Sequence, residues 1–417
     1  MSQSFKKFLL LWSGQLVSSI GGGLTSFGLT VYVFRSTGSA ASTTLIALIA
    51  FLPSLLLGVP AGVLADRTDR RKLMMLGDGL SAIGLIYILI CMLSGGAQMW
   101  QICLGVAISS VFSSLMEPAY RATVSDLLTE DEYVKASGFV NLAGSARFLI
   151  SPFLAGILLA VSDIKLLLLI DICTFILTVI TTAVVRRGMT VKKDYKKTSF
   201  ADDLKGGWKA FSGNKGLITL VGMVVLMTFS IGAMQILAEP MILDFKSSKT
   251  LGIVETVCAS GMLVTSILLG AKGMKKAFVK ALSISLGLAG ICMLGFGFQE
   301  NLIIIGISGF AFFMMIPVAN SILDYLVRTN ISNELQGRAW GVIGFVSQLG
   351  YVISYGVSGI LADKIAEVNK ISVGRGSAAV IMFFGVLLTV SAVLLYCIKN
   401  VRDLDKIKTT EGSKECT

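Results

Sequence analysis

The chain has 417 residues, of which 54% are hydrophobic and only 15% are charged, and its formal net charge is +11. Soluble globular proteins are about 45–50% apolar, so this composition excludes an ordinary soluble domain and indicates an integral membrane protein. A charge of +11 would suggest nucleic-acid binding in a soluble protein, but its distribution along the chain must be considered first.

Twelve apolar runs are long enough to cross a hydrocarbon core, which takes about 20 helical residues. They fall near residues 8–34, 43–65, 73–93, 99–121, 136–160, 164–185, 216–243, 249–271, 278–298, 301–325, 339–363 and 374–398. The chain is therefore predicted to be an all-α membrane protein with twelve transmembrane helices.

The longest polar connection divides these spans six and six. We predict an N-terminal six-helix bundle at 1–190, a linker at 191–215, a C-terminal bundle at 216–400 and a tail at 401–417. The linker carries bulky apolar residues at helical spacing, which predicts an amphipathic helix lying on the lipid headgroups. These residues are Phe200, Leu204, Trp208 and Phe211.

The positive charges indicate the orientation. Of the 36 lysines and arginines, one lies inside a span, Arg147, and 28 lie on the side that carries both termini. The other side has the remaining seven: Arg35, Lys165, Lys246, Lys249, Lys364, Lys370 and Arg375. Because cytoplasmic loops carry the excess of basic residues, both termini are predicted to be cytoplasmic, and the net charge requires no nucleic acid.

Energy-coupling and catalytic motifs are missing from the sequence. It contains neither a G-x-x-x-x-G-K-[ST] phosphate loop nor a dinucleotide-binding motif, and it has no histidine. No cofactor, no metal site and no catalytic residues are predicted, and an enzyme is not supported. Energy must come from ion gradients or from another subunit.

Charged residues inside apolar spans point to function, because membrane proteins rarely keep them without a use. Arg147 lies ~16 Å up the fifth helix and Asp171 lies ~18 Å above the inner boundary in the sixth, at ~1.5 Å per residue. We hypothesise that Arg147 and Asp171 pair near the level where transporters bind substrate. A purely structural bridge between the two helices is the alternative.

Four further polar residues are candidates for the substrate or proton pathway. Glu239 and Glu255 lie near the outer ends of the seventh and eighth helices, where they can take up a proton or attract a cationic drug. The alternative for both is an ordinary surface carboxylate. Gln15 and Gln235 face either a cavity or a neighbouring helix.

Several residues near the inner ends of the helices have a predicted place. Glu117 precedes a proline near the inner end of the fourth helix and is assigned to an inner gate. Asp126 and Asp324 are expected to lie in water without a special role. Thr129 and Glu132 form a predicted capping box at the start of the fifth helix.

The charged stretch between the second and third helices runs GVLADRTDRRK, from Gly62 to Lys72. This pattern, G-x-x-x-D-R-x-x-R-R-K, resembles the loop signature of the major facilitator superfamily. The resemblance implies that Gly62 lets its helix approach a neighbour closely, and that the charged residues latch the two halves at their inner ends. The matching residues are Asp66, Arg67, Arg70 and Arg71, and Arg338 at the start of the eleventh helix is the expected partner of Asp66.

The N-terminal half also resembles the macrolide-efflux subgroup of bacterial drug:proton antiporters. The similarity is carried by Thr37 to Ala40, Glu117 to Gly138, Pro152 with Gly156, and Leu168 to Phe175. It implies a secondary active transporter in the bacterial cytoplasmic membrane that exports bulky amphipathic drugs in exchange for protons. We expect a monomer whose partners are the drug, protons and the lipid bilayer.

One departure and two alternatives stay open. Many drug antiporters carry an arginine in the fourth helix, whereas Trp100 to Met116 contains no charge. Coupling would then depend on Arg147 or on the carboxylates. A lipid or siderophore exporter of the same fold, or a non-transporting sensor or scaffold, would share most of these features.

Overall fold

The described part of the computed structural model comprises residues 2–186, 215–272, 277–331 and 333–405, and it is helical without strands. Its twelve long helices are α1 (Gln3–Thr37), α2 (Ala40–Arg67), α3 (Arg70–Leu93), α4 (Met99–Leu127), α5 (Glu130–Val161), α6 (Ile164–Arg186), α7 (Lys215–Leu243), α8 (Ser248–Lys272), α9 (Phe278–Phe298), α10 (Leu302–Asn330), α11 (Asn333–Asn369) and α12 (Val373–Cys397). A short helix α13 (Lys399–Arg402) follows.

All twelve long helices of the described residues contain a segment apolar and long enough to cross a membrane. This confirms the predicted all-α fold with twelve spans. Most helices extend a few residues beyond the apolar runs, because polar caps rather than the hydrocarbon boundary determine where they end. The predicted interfacial helix in the linker falls in residues 187–214, outside the described part of the chain.

Local sequence explains the sharp helix boundaries. The Ser39 hydroxyl accepts a hydrogen bond from the N–H of Ser42 at 3.1 Å and starts α2, directly after Gly38 ends α1 with φ 64°. A left-handed residue of this kind is a common helix terminator. Thr129 and Glu132 form the predicted capping box at the start of α5, which confirms that prediction.

The chain divides into two compact units, residues 1–197 with 246–256 (unit 1) and residues 198–245 with 257–417 (unit 2). The segment 246–256 groups with unit 1 because it packs on α5. The Thr256 hydroxyl donates to the Leu149 carbonyl at 3.1 Å, and Gly252 packs directly on the Pro152 carbonyl.

In unit 1, α1 packs along α5 and α6, and α3 packs along α4 and α6. The α3–α4 contact is close because Gly84 and Gly105 face each other, and a Cβ on Gly105 would lie 2.7 Å from the Gly84 carbonyl oxygen. Buried apolar side chains that include Leu85, Ile88 and Leu168 fill the space between α3, α4 and α6.

Unit 2 repeats the same set of helix pairs. Helix α7 packs along α11 and α12, and α9 packs along α10 and α12. A Cβ on Gly290 of α9 would lie 2.5 Å from the carbonyl oxygen of Gly385 on α12. The equivalent pairs in the two units are therefore α1–α5 and α7–α11, α1–α6 and α7–α12, α3–α4 and α9–α10, and α3–α6 and α9–α12.

Candidate transport site

A line of polar residues follows one face of α6. Asp171 is only 2% exposed, and Thr174, Thr178, Thr181 and Thr182 continue from it at helical spacing and are also buried. The Thr174 hydroxyl lies 2.7 Å from the Asp171 carbonyl oxygen and 3.2 Å from its Oδ1. Because residues three and four apart share one helix face, these side chains form a continuous polar line in an apolar helix.

Two glycines of α1 make room for the charged candidates. A Cβ on Gly21 would lie 2.7 Å from Asp171 Oδ1, and one on Gly23 would lie 3.3 Å from the Cγ atom of Arg147. Arg147 and Asp171 therefore flank the same stretch of α1, and the positive charge of Arg147 acts on the Asp171 carboxylate. A direct hydrogen-bonded pair between them stays a hypothesis.

Asp78 on α3 is a buried acid that sequence reasoning missed. It is 2% exposed, and it interacts with the Thr178 side chain and the Asp171 charge across the α3–α6 interface. The sequence contained a signal for it, because Asp78 is an acid inside the apolar run 73–93. It is easily overlooked beside the dense charges at the start of the same helix.

The start of α3 carries an ion-pair cluster with the end of α4. Arg70 Nη1 lies 2.7 Å from Asp126 Oδ1, and Arg71 Nη2 lies 3.8 Å from Asp126 Oδ2. The prediction that Asp126 has no special role was therefore wrong. Asp126 pairs with two of the three arginines of the loop signature, Arg70 and Arg71. Arg71 is 3% exposed, so its charge depends on a nearby acid.

Asp69 caps α3 and joins it to the end of α6. Its Oδ1 accepts a hydrogen bond from the backbone N–H of Arg71 at 3.1 Å, and its Oδ2 accepts one from Arg186 Nε at 2.9 Å. Burial raises the pKa of Asp69, but the hydrogen bonds from Arg186 and from the backbone at Arg71 and Lys72 outweigh it, so the pKa lies below its ordinary value. The carboxylate is thus held in its charged form.

The remaining gate candidates occupy more exposed positions. Glu117 pairs with Arg121 at 2.8 Å on the surface of α4, and Arg67 ends α2. No heavy atom of the described residues lies within 4 Å of a Cβ placed on Gly62, so its close helix approach stays a prediction. The side chains of Asp66 in α2 and Arg338 in α11 lie outside the described part.

The other pathway candidates are distributed over three helices. Gln15 is half-buried on α1, next to the glycine that faces Thr181. Gln235 and Glu239 are half-buried on α7 and, being four residues apart, share one face of that helix. Glu255 is half-buried on α8. Within unit 1, the structure thus brings Arg147 and Asp171 to the same stretch of α1.

The family model of the Major Facilitator Superfamily matches residues 11–355 of the chain. The chain belongs to the major facilitator superfamily. A transporter of this superfamily is a multi-pass membrane protein that binds small-molecule substrates.

Similar proteins include several efflux and transport proteins. Macrolide efflux protein A of Streptococcus pyogenes is 25% identical over 410 residues, covering 96% of this chain and 97% of that protein. An uncharacterized MFS-type transporter of Bacillus subtilis (strain 168), YfiS, is 27% identical over 376 residues, covering 86% of this chain and 88% of that protein.

Solved structures share the fold of this major facilitator protein. The crystal structure of the nucleoside transporter NupG has a TM-score of 0.75 at 14% identity, covering 94% of this chain and all of that chain. A bacterial homologue of the iron transporter ferroportin has a TM-score of 0.71 at 13% identity and the same coverage. Family and fold are those of a transporter, in agreement with the loop signature.

Proposed function

We propose that this transporter exports bulky amphipathic, macrolide-like compounds by alternating access, in exchange for protons. The observation that carries the proposal is the similarity to macrolide efflux protein A, which extends over 96% of this chain and 97% of that protein. A similarity of that extent includes both units, so it favours a shared transport activity more than a match to one unit would.

Proton exchange is supported by the ionisable groups of the spans. Buried charges at membrane depth are costly and mark ion or proton pathways in many transporters. We assign the buried Asp171, together with the more exposed Arg147 on α5, to the proton and substrate pathway at mid-depth. Gln15, Gln235, Glu239 and Glu255 complete the proposed pathway.

The charged residues at the α2–α3 connection form the proposed gate, on the cytoplasmic side. The excess of lysines and arginines on the side of both termini supports this orientation. Arg70 and Arg71 pair with Asp126, which ties the start of α3 to the end of α4. The full set of gate residues is Gly62, Asp66, Arg67, Arg70, Arg71, Glu117 and Arg338.

The test is pH-gradient-driven uptake into inverted membrane vesicles that contain the full chain. We expect accumulation of radiolabelled erythromycin and of the cationic dye ethidium, abolished by a proton ionophore. Vesicles with an Asp163→Asn variant serve as a matched control, since Asp163 is an exposed acid that pairs with nearby Lys165 at 3.3 Å.

Three results would contradict the proposal in different ways. Uptake that does not depend on the pH gradient would indicate facilitated diffusion instead of proton exchange. Uptake of a labelled lipid or siderophore, but of neither drug, would favour the alternative exporter. A correctly inserted protein that moves none of these compounds would favour a sensor or scaffold.

A further inference from the structure

The α3–α6 interface of unit 1 contains two buried acids, Asp78 and Asp171, each 2% exposed. They come from different helices and interact electrostatically with each other. An ionised carboxylate in an apolar interior is costly unless it is paired or neutralised. Two of them at one helix interface therefore require protons, a counter-charge, or both.

The vertical order of these groups follows from the helix ends. Arg186 at the end of α6 lies 2.9 Å from Asp69, which precedes α3, so these two helix ends are level. Asp78 lies eight residues from the start of α3, or ~12 Å at ~1.5 Å per residue. Thr178 lies at the same ~12 Å on α6, Thr174 at ~18 Å and Asp171 at ~22 Å. Thr178 is thus level with Asp78, and Thr174 lies between that level and Asp171.

A buried hydroxyl on α1 lies beside the upper acid. Thr25 is 6% exposed, and its side chain is near enough to Asp171 to stabilise the carboxylate by hydrogen bonding. Its Oγ1 atom makes no other hydrogen bond within the described residues. The hydroxyl can therefore donate to Asp171 when that group is a carboxylate, which is one of the two states of a proton-binding site.

The charged and titratable groups around this line are few. Helix α5 contributes Arg147, which acts on Asp171, and α1 contributes Gly21 and the Thr25 hydroxyl. Helix α4 contacts α3 on another side, where Ser81 bonds to the Ser109 carbonyl at 3.0 Å, and α4 carries no charge from Trp100 to Met116. The two acids and one arginine thus determine the charge of the line.

We propose that Asp171 and Asp78 are two successive proton-binding sites of one path inside unit 1, linked by the hydroxyls of Thr174 and Thr178. This inference deepens the proposed function, because it assigns the coupling proton a path that is separate from Gln235, Glu239 and Glu255. The path leads from the middle of α6 towards the end of unit 1 that carries Asp69 and Arg186.

The proposed step is a proton transfer that conserves charge. The carboxyl group of Asp171 loses its proton and becomes a carboxylate, which the Arg147 charge stabilises. The carboxylate of Asp78 receives the proton and becomes a neutral carboxyl group. In this structure the Thr174 hydroxyl donates to the Asp171 carbonyl at 2.7 Å and the Thr178 hydroxyl donates to the Phe175 carbonyl at 2.8 Å. A hydroxyl can accept one hydrogen bond and donate another, so in the proposed step each hydroxyl rotates away from its carbonyl to pass the proton on.

The first test is infrared difference spectroscopy of the full chain in lipid bilayers during a pH titration, without any drug. The wild type should show protonated-carboxyl bands that titrate, and Asp78→Asn and Asp171→Asn should each remove a different one. Asp163→Asn should remove none of them. Unchanged titrating bands in both Asn variants would overturn the proposal, whichever compound the protein transports.

The second test measures proton movement and separates a relay from a structural role. Thr178→Val removes the hydroxyl and keeps the side-chain shape, whereas Thr178→Ser keeps the hydroxyl. In liposomes, Thr178→Val should slow pH-driven exchange about 100-fold, the scale of a lost proton-transfer group, and Thr178→Ser should stay near wild type. Equal rates for Thr178→Val and wild type would overturn the relay.

The two tests distinguish this inference from the proposed function. Titrating bands that respond to both aspartates, with no erythromycin or ethidium uptake, would retain the proton path and remove the drug assignment. Gradient-driven drug uptake that persists in Asp78→Asn would retain the exporter and remove the path. If Asp78→Asn does not insert, Asp78→Glu keeps the acid and should shift, not abolish, its band.

Discussion

The α3–α6 interface of unit 1 and the α9–α12 interface of unit 2 occupy the same place in the two halves of the repeat, but their chemistry differs. The first holds Asp78, Asp171 and a line of threonines. The second is closed by facing glycines, with Gly290 against the Gly385 carbonyl, and neither α9 nor α12 contains an acid. The same helix arrangement therefore supports a polar interface in one unit and a close apolar one in the other.

This difference indicates a division of roles. Glycine contacts bring helix backbones together and stabilise membrane helix pairs by packing, and such an interface gains nothing from ionisable groups. The α3–α6 interface carries the cost of buried acids, which a membrane protein rarely keeps without a use. Substitutions in unit 1 should thus affect coupling, and substitutions at the α9–α12 contact should affect stability.

The largest expected effect is on transport in unit 1. The double variant Arg147→Gln with Asp171→Asn should reduce pH-driven export about 100-fold, because the proton carrier and its counter-charge are both lost. The matched change in unit 2 is Thr389→Val. The Thr389 hydroxyl bonds to the backbone carbonyls of Gly385 and Gly287, and its loss should keep the coupling. Normal export by the double variant would exclude the pair from the mechanism.

The next effect is on the stability of unit 2. Gly290→Leu would place a side chain against the Gly385 carbonyl and Thr389, and overpacking of this kind costs about 1–3 kcal/mol. Thermal unfolding in detergent should show the loss. Gly222→Ala on α7 is the control, because no described atom outside the local helix backbone lies within 4 Å of its Cβ position. Equal melting temperatures for Gly290→Leu and wild type would contradict the close-packed interface.

A smaller effect is expected at the gate of unit 1. Asp66→Asn should leave the protein inserted and folded and slow export severalfold, on the scale of about 0.3–1 kcal/mol for an acid at a helix N-terminus. Asp324→Asn in unit 2 is the comparison, since Asp324 forms an exposed pair with Arg328 at 2.8 Å. Export at the wild-type rate in Asp66→Asn would argue against the latch.

The smallest effect concerns the pH dependence of stability. The pKa of Asp69 is lowered in the folded state. The stabilisation of the folded state by this carboxylate is therefore fully present above the ordinary aspartate pKa of about 3.9. It is lost as the pH falls through the lower folded-state value. Because Arg186 is 42% exposed, the contribution should stay below about 1 kcal/mol.

The measurement is the melting temperature in detergent between neutral and acidic pH. Asp69→Asn should lower stability at neutral pH and should lose less of it than wild type on acidification. Parallel pH curves for the two proteins would show that the Asp69–Arg186 pair contributes nothing to stability.

Local patterns predicted much of the architecture because their physical basis is local. Span lengths follow from apolar runs, and the capping box at Thr129 and Glu132 requires only a few neighbouring residues. The charge pattern from Gly62 to Lys72 identified the superfamily that the family model then showed. None of these features needs a distant partner to be recognised.

Two acids of the candidate site were not predicted correctly for the opposite reason. Asp126 lies 55 and 56 residues from Arg71 and Arg70, which it meets only because α3 packs on α4. In sequence it resembles any acid near a helix end. Asp78 is a candidate site residue because it lies near Asp171 and Thr178 on α6. A count of charges along one helix cannot show which charge faces another.

By itself, the amino-acid sequence determined that this protein is a twelve-span helical membrane protein with the major facilitator signature, because hydrophobic length and charge distribution act along the chain. Only the tertiary structure decided which polar groups meet. It brought Asp78 to Asp171 and Asp126 to Arg70, because helix packing joins residues that are far apart in sequence but level across an interface.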